Sequence, residues 1–395
     1  MRQPGVYPVL FAFLLVAAPL RQSSPATILW TAPAILISAL MIAWAAESAQ
    51  YFIAQGFALA ILAWLQTLPE FAVEAVLAWK QQVPLLLANL TGALRLLTGL
   101  GWPVIYLTAA LAHRRRSKTR LRAIRLERHH SIEVGVLFVA LIYIAVIAAK
   151  GTLAIHDAFV LIAIYAAYLA VLSRLPAEGH ESVDQLESIP RAIVKAPRAR
   201  RIALIAVLFV GGGTLIYYSA EPFLASLLAL ATLGGIPAFL FIQWIAPIVS
   251  EFPEMASTVY FARRPSRASM ALMNMVSSNI NQWTLLVAML PVLYSISVGA
   301  PAVIPLDAEQ KMQLLMTLGQ AVVGMMFLIN MELAWWEAAI LLVLFAVPFA
   351  YPSSAEPVTI AYFAWAAIEL ARILAGQRKP VALTAFVETW RARVR

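Results

Sequence analysis

Apolar residues dominate this chain in long stretches, near 26–46, 48–79, 84–111, 132–149 and 152–173, and again near 202–219, 222–262, 268–298, 312–330 and 333–350. A further run follows at 354–374. One helical crossing of a bilayer takes roughly 20 apolar residues, and most of these runs meet that length. The pattern predicts an all-α membrane protein, a polytopic bundle of about 10 to 12 transmembrane helices. Residues 5–20 form a shorter apolar segment after Arg2, the outline of a signal peptide. Leu20-Arg21-Gln22 makes a poor cleavage site, so an uncleaved helix is the preferred reading.

Charge refines this picture. Of the 29 Lys and Arg residues, 23 fall in four clusters: loop 112–130 with Arg114-Arg115-Arg116, loop 174–201, the link 263–267 and the end from 372 to 395. Two spans separate each of the first three clusters from the next, and four separate the third from the tail. All four therefore lie on one side, which the positive-inside rule makes cytoplasmic. The net charge of +9 thus reports membrane topology and not a nucleic-acid surface. The organisation expected is an N-terminal apolar segment (1–24), a first five-helix half (25–173), a cytoplasmic basic loop (174–201), a second half (202–350), an extra helix (351–374) and a basic tail (375–395). A bacterial inner membrane is the expected location.

Polar residues inside the apolar runs carry the chemistry. Thr67-Leu68-Pro69-Glu70 and Ser250-Glu251-Phe252-Pro253-Glu254 each place a proline and a glutamate within a stretch of spanning length. Asn89 follows the first glutamate by 19 residues and Asn274 follows the second by 20. An ionisable group at mid-bilayer costs roughly 2.5–3.5 kcal/mol on insertion scales and marks function by default. The two phrases sit five spans apart, so they cross in opposite directions. That predicts an inverted-topology repeat of two five-helix halves, an architecture secondary transporters use.

Pro69 removes a backbone donor and disfavours helix at Leu68, predicting a break near 66–69. Thr67 and Glu70 stand in capping-box spacing, the mark of a helix that starts there. Glu74 lies one turn further on the same face. In the second phrase Glu251 and Glu254 are three apart and expected on one helical face, with Ser250 adding a hydroxyl. Asn274, Ser277, Ser278 and Asn281 then form a polar stripe at helical spacing, with Asn279 just off it. Carboxylate, amide, hydroxyl and freed carbonyl oxygens together suit a hard cation such as Na+ or Ca2+. The plainer readings stand beside this one. Pro-Glu also caps helices, and Ser/Asn stripes also pack helices together. Glu332, Glu337 and Glu369 lie near span ends and read as interfacial, as does the pair Trp335-Trp336.

Composition sets the remaining bounds. The chain is 62% hydrophobic and 12% charged, with a mean hydropathy of +0.81, which excludes an ordinary soluble domain. Without cysteine it has no disulfide, thiolate metal site or cysteine nucleophile. It also lacks a His/Glu metal motif and a Gly-x-Ser-x-Gly elbow, so no enzyme activity, cofactor or nucleic-acid partner is expected. The expected partners are inorganic cations and the lipid bilayer.

At the two Pro-Glu phrases the chain resembles the sodium/calcium exchanger family, the cation/Ca2+ antiporters. Their two repeats carry Gly-Thr-Ser-x-Pro-Glu and then Gly-Asn/Asp-x-x-Gly-Ser-Asn. Here the first repeat reads Leu65-Gln66-Thr67-Leu68-Pro69-Glu70, then Ala88-Asn89-Leu90-Thr91-Gly92-Ala93-Leu94. The second reads Val249-Ser250-Glu251-Phe252-Pro253-Glu254, then Met273-Asn274-Met275-Val276-Ser277-Ser278-Asn279. The resemblance implies a Ca2+ antiporter working by alternating access, with Na+ or H+ as counter-ion. Glu70 and Glu254 would be the metal ligands, with Thr67, Ser250, Asn89, Asn274, Ser277, Ser278 and Asn279 around them.

Departures from the family pattern matter. Glu251 replaces a serine, Leu85 and Leu94 stand where the family has a serine and an asparagine, and Arg95 follows directly. An intramembrane arginine must pair or reach water. Arg95 is a candidate for charge compensation against Glu70 or Glu251, which weakens the case for flanking Na+ sites and leaves H+ coupling through a carboxylate of raised pKa open beside it. The alternative is a non-transporting or sensor protein that keeps the fold, with an Arg95–carboxylate pair in place of the ion.

Overall fold

The computed structural model describes residues 24–49, 52, 67–174, 183, 186, 188–264 and 267–394. Half of the run at 48–79, and all of that at 5–20, falls outside them. In chain order the helices are α1 (Ile28–Ala49), α2 (Leu68–Trp79), α3 (Val83–Ser117), α4 (Ser131–Lys150), α5 (Ile155–Leu172), α6 (Ser188–Val194), α7 (Arg198–Leu233), α8 (Ala238–Ser250) and α9 (Phe252–Ala262). Then come α10 (Ala268–Val298), α11 (Ala308–Leu328), α12 (Trp335–Ala350), α13 (Ala355–Leu374) and α14 (Val381–Val394). Among the described residues eight helices are long and apolar enough to span, and α8 and α12 are shorter apolar helices.

The chain folds into two compact units, residues 1–77 with 172–253 and residues 78–171 with 254–395. Each unit draws on both halves of the sequence, as an intertwined repeat requires.

In the first unit α1 packs along α7. The Thr31 and Ser226 hydroxyls are 3.2 Å apart, Ala34 packs with Leu215, and Gly212 meets the Ser38 carbonyl. Partners on α7 fall in number as those on α1 rise, so the two helices are antiparallel. They are the first helices of the two halves, and their opposed directions show the inversion. Small residues at the seam let the backbones approach, the usual basis of helix association in lipid.

The second unit shows the inversion at its loops. Strand β1 (Ala123–Arg125), after α3, pairs antiparallel with β4 (Glu332–Ala334), after α11. Strand β2 (Thr152–Leu153), after α4, pairs with β3 (Ile304–Pro305), after α10. The α3–α4 loop of one half thus meets the α11–α12 loop of the other. Its own counterpart, the α10–α11 loop, pairs at the far end of α4. Arg128 also reaches Glu388 of α14 at 2.6 Å, which places loop 112–130 and the C-terminal tail at one end.

One boundary differs from the sequence reading. The run breaks at 220–221 were expected to divide two elements, yet α7 continues through Glu221-Pro222 to Leu233. Proline is tolerated in spanning helices because lipid offers the backbone no competing partner. The chain turns instead at Gly234-Gly235, where Gly235 takes a φ of 64°, a conformation glycine adopts at little cost.

The close approach of α3 to α11 and α12 depends on glycine. A Cβ on Gly99 would lie 2.5 Å from both Gln320 Nε2 and Phe345 Cβ. Gly99→Ala is therefore expected to destabilise the protein by about 1–3 kcal/mol, the usual cost of overpacking. Gly213→Ala meets nothing within 4 Å and is expected to stabilise slightly by restricting the unfolded chain. Thermal unfolding in detergent of the two variants side by side checks both signs.

Candidate functional site

Each Pro-Glu phrase starts a short helix. Thr67 directly precedes α2, its carbonyl accepting the Phe71 amide at 3.1 Å. Pro69 falls in the first turn, where a missing N–H is harmless, and Glu70 follows it near the positive end of the helix dipole. In the second repeat α8 stops at Ser250, Glu251 forms the junction, and α9 opens at Phe252 with Glu254 in its first turn. Glu251 and Glu254 thus stand on either side of a helix break and not on one continuous face. The break is local: the Glu251 amide still donates to the Pro247 carbonyl, and the path then restarts around Pro253.

The first unit brings one residue from each phrase together. Ser250 Oγ donates to Glu70 Oε2 at 2.5 Å, across 180 positions of sequence. Glu70 is 1% exposed, and Thr67, Glu74, Ser250 and Glu251 are buried as well. Gln243, two turns before Ser250 on α8, is also buried. Sequence reasoning passed over it because it lies outside both motifs.

In the second unit the crossing repeats. Asn279 Nδ2 on α10 donates to Thr98 Oγ1 on α3 at 3.1 Å, across 181 positions. Asn89, Ser278, Asn279 and Glu254 are buried, whereas Asn274 and Ser277 are half-buried. Ser277 Oγ lies 3.0 Å from the Tyr168 hydroxyl on α5. Both long helices contain a π-helical turn, Leu97–Gly101 in α3 and Gln282–Leu286 in α10. Each begins eight residues after the central asparagine, Asn89 or Asn274. Such widened turns concentrate at functional sites, and their matching register is a property of the repeat that no residue type announces.

Arg95 is buried at 2% exposure. Its Nε donates to the Thr91 carbonyl at 3.1 Å and its Nη1 to Gln313 Oε1 at 2.9 Å. Gln320, two turns beyond Gln313 on α11, donates to the Arg95 carbonyl at 2.9 Å. These glutamines were missed in the sequence. Their spacing of seven on a helix otherwise read as apolar was the available signal.

Among the described residues no three His, Asp or Glu side chains gather closely enough to hold a metal ion. A cation here would take much of its shell from amide, hydroxyl and carbonyl oxygens.

In each half a Pro-Glu phrase opens a short helix and a long helix with buried amides follows, a repeat shared with known proteins. The profile of the family described as "Sodium/calcium exchanger protein" matches residues 24–174 and 204–351. The chain belongs to the sodium/calcium exchanger family. Among solved structures, the H+/Ca2+ exchanger CAX is 30% identical, with a TM-score of 0.85, and the match covers 98% of each chain. The sodium-calcium exchanger NCX_Mj is 18% identical at a TM-score of 0.52, covering 82% of this chain and 97% of its own. YfkE is 15% identical at 0.57, covering 91% and 100%. The last two show the exchanger fold alone. Comparison with curated proteins gives no match. The exchanger family is one of integral membrane transporters, and both matched segments contain one Pro-Glu phrase.

Proposed function

We propose that this protein is a secondary active antiporter that moves Ca2+, or a similar divalent cation, against H+ by alternating access. The observation that carries the reading is the hydrogen bond from Ser250 to Glu70. It joins the two inverted phrases at a buried carboxylate, between the last residue of α8 and the first turn of α2. The metal ligands in this reading are Glu70 and Glu254. Thr67, Ser250, Glu251, Asn89, Asn274, Ser277, Ser278 and Asn279 supply further oxygens or hold those ligands in place. Arg95 contributes a fixed positive charge, and with Leu85 and Leu94 it takes the place of oxygen-bearing side chains that a Na+ site would use. That departure, and the match to an H+/Ca2+ exchanger over nearly the whole chain, favour H+ over Na+.

The functional halves are 25–173 and 202–350. The end carrying loop 112–130 and the tail faces the cytoplasm, by its positive charge, with a bacterial inner membrane as the site of action.

The test is 45Ca2+ uptake into proteoliposomes under an imposed pH gradient, compared with an imposed Na+ gradient. Uptake driven by the pH gradient and indifferent to Na+ is expected. Absence of flux under either gradient would reject transport and leave the fold-retaining sensor.

A further inference from the structure

A second set of buried polar groups, outside both Pro-Glu phrases, runs from the basic-loop end of the second unit toward the interior of its bundle. His130 ends the single helical turn before α4 and is 6% exposed. Glu133 lies in the first turn of α4 and is also buried. His130 Nδ1 and Glu133 Oε2 are 4.0 Å apart. Tyr168, fully inside the bundle on α5, lies within electrostatic reach of Glu133 and 3.0 Å from Ser277 Oγ. The Tyr165 ring packs edge-on against it at 6.0 Å. The Tyr165 hydroxyl and Ser131 Oγ are buried with no hydrogen-bond partner among the described residues.

Depth gives the arrangement a direction. Ser277 stands nine residues into α10, about 14 Å along the helix at ~1.5 Å per residue, near the middle of a hydrocarbon core about 30 Å thick. The set therefore connects an aqueous end to mid-membrane. Glu133 is buried in α4 and within electrostatic reach of Tyr168, and buried ionisable groups in spans mark ion or proton routes.

We propose that His130, Glu133, Tyr168 and Ser277 form the route by which protons pass between the basic-loop face and the Ser277–Asn279 stripe. This inference rests on the antiport reading and on H+ as its counter-ion. Glu133 takes a proton from hydronium at the mouth, forming its carboxyl O–H and releasing water. The proton returns to a water on the inner side. Tyr168 then accepts a proton from that water on its hydroxyl oxygen while its own proton passes to Ser277 Oγ, and Ser277 releases its original hydroxyl proton to a water at the stripe, so both hydroxyls stay neutral and nothing is oxidised.

Among the described residues, several elements bring charged and titratable groups toward Glu133. Its own turn contributes Glu127, His129 and His130, with a His129–Glu127 approach of 3.8 Å. Helix α5 contributes Tyr165 and Tyr168. Helix α14 brings Glu388, already bound to Arg128, and Arg391. Helix α10 is preceded by Arg267. Helix α11 brings Glu309 and Lys311, at its other end beside β3.

The experiment uses full-length protein in vesicles with an entrapped pH dye and 45Ca2+, comparing wild type, Glu133→Gln, Glu133→Asp and Tyr168→Phe. Two rates are read: H+-coupled Ca2+ exchange, and Ca2+–Ca2+ self-exchange, which needs no net proton movement. Glu133→Gln and Tyr168→Phe are expected to slow coupled exchange by roughly 10- to 100-fold, below or at the low end of what a positioned proton-transfer group contributes. Self-exchange should hold at the wild-type rate, and Glu133→Asp should recover much of the coupled rate. Wild-type coupled rates and an unchanged pH profile in both variants would overturn the route. Equal loss of coupled and self-exchange would also overturn it, by revealing a purely structural role. If wild type self-exchanges Ca2+ yet moves no protons, the route fails while the antiporter stands. If wild type moves no Ca2+ in any mode, both fall.

Discussion

Glu70→Gln is expected to abolish Ca2+ movement while the protein remains folded. The substitution keeps shape and volume and removes the charge that a hard divalent ion seeks. Loss of a partner one step removed from a metal typically costs 10- to 100-fold in affinity or activity, so if Glu70 is the ligand proposed above, its loss should reduce flux on the order of 100-fold or more. Ser250→Ala should have a smaller effect, about 10-fold, because it deletes the donor that orients the Glu70 carboxylate but leaves the charge. Stability should move the other way. A carboxylate buried at 1% exposure is costly to desolvate, and neutral glutamine relieves that cost, the familiar opposition between stability and function. The check is 45Ca2+ flux and detergent melting on the same preparations. Transport by Glu70→Gln at the wild-type rate would remove Glu70 from the ion path. Loss of transport with a collapsed melting transition would reassign it to structure.

Much of this architecture is legible in the residues. The spans 132–149, 268–298 and 354–374 nearly coincide with α4, α10 and α13, because lipid forces each apolar run to satisfy its backbone as helix. The inversion followed from the parity of spans between the two Pro-Glu phrases, and from basic clusters that fall on one side only if the count is right. Helix starts close to Pro69 and Pro253 followed from the missing proline N–H, which a first helical turn tolerates, although both helices open one residue earlier, at Leu68 and Phe252, where proline was expected to disfavour helix.

What escaped depends on partners far away in sequence. Nothing near Gln313 or Gln320 indicates that α3 will offer Arg95 to them. The π-helical turns at Leu97 and Gln282 need one widened hydrogen-bond register, set by packing and not by residue type. The gap between the apolar runs at 220–221 resembled a boundary, yet the helix continues through it because in lipid its backbone has no other partner.

Glu337 and Glu369 show the same limit most sharply, and they lead to the other large expected effect. Their positions near span ends suggested interfacial side chains, yet each is 1% exposed. Arg378, in the turn between α13 and α14, reaches Glu337 Oε1 at 2.7 Å and Glu369 Oε2 at 2.8 Å. It also donates to the Phe327 carbonyl at 2.8 Å, while Arg372 holds the other oxygen of Glu369 at 2.9 Å. Glu337 Oε2 meanwhile accepts the Ala334 amide at 2.8 Å. The opposite end of the second unit has a simpler counterpart. Asp157 accepts the Ala154 amide at 2.8 Å and binds Lys150 at 2.6 Å. The shared carboxylate, two residues past the start of α5 and of α12, is a product of the repeat. The arginine network around Glu337 and Glu369 is an addition peculiar to the C-terminal segment.

Arg378→Met is therefore expected to destabilise the protein by about 3–5 kcal/mol, the cost of removing one member of a buried ion pair and stranding the others. The same principle predicts the rescue. Adding Glu337→Gln and Glu369→Gln removes the stranded charges, so the triple variant should be more stable than Arg378→Met alone, a coupling that an additive set of substitutions would not show. Lys150→Met should cost less, because the lysine is about one-third exposed and water can solvate part of what it leaves behind. Melting curves of the four proteins in one detergent decide the matter. A triple variant less stable than Arg378→Met would mean that the guanidinium contributes packing and not charge neutralisation at the tail.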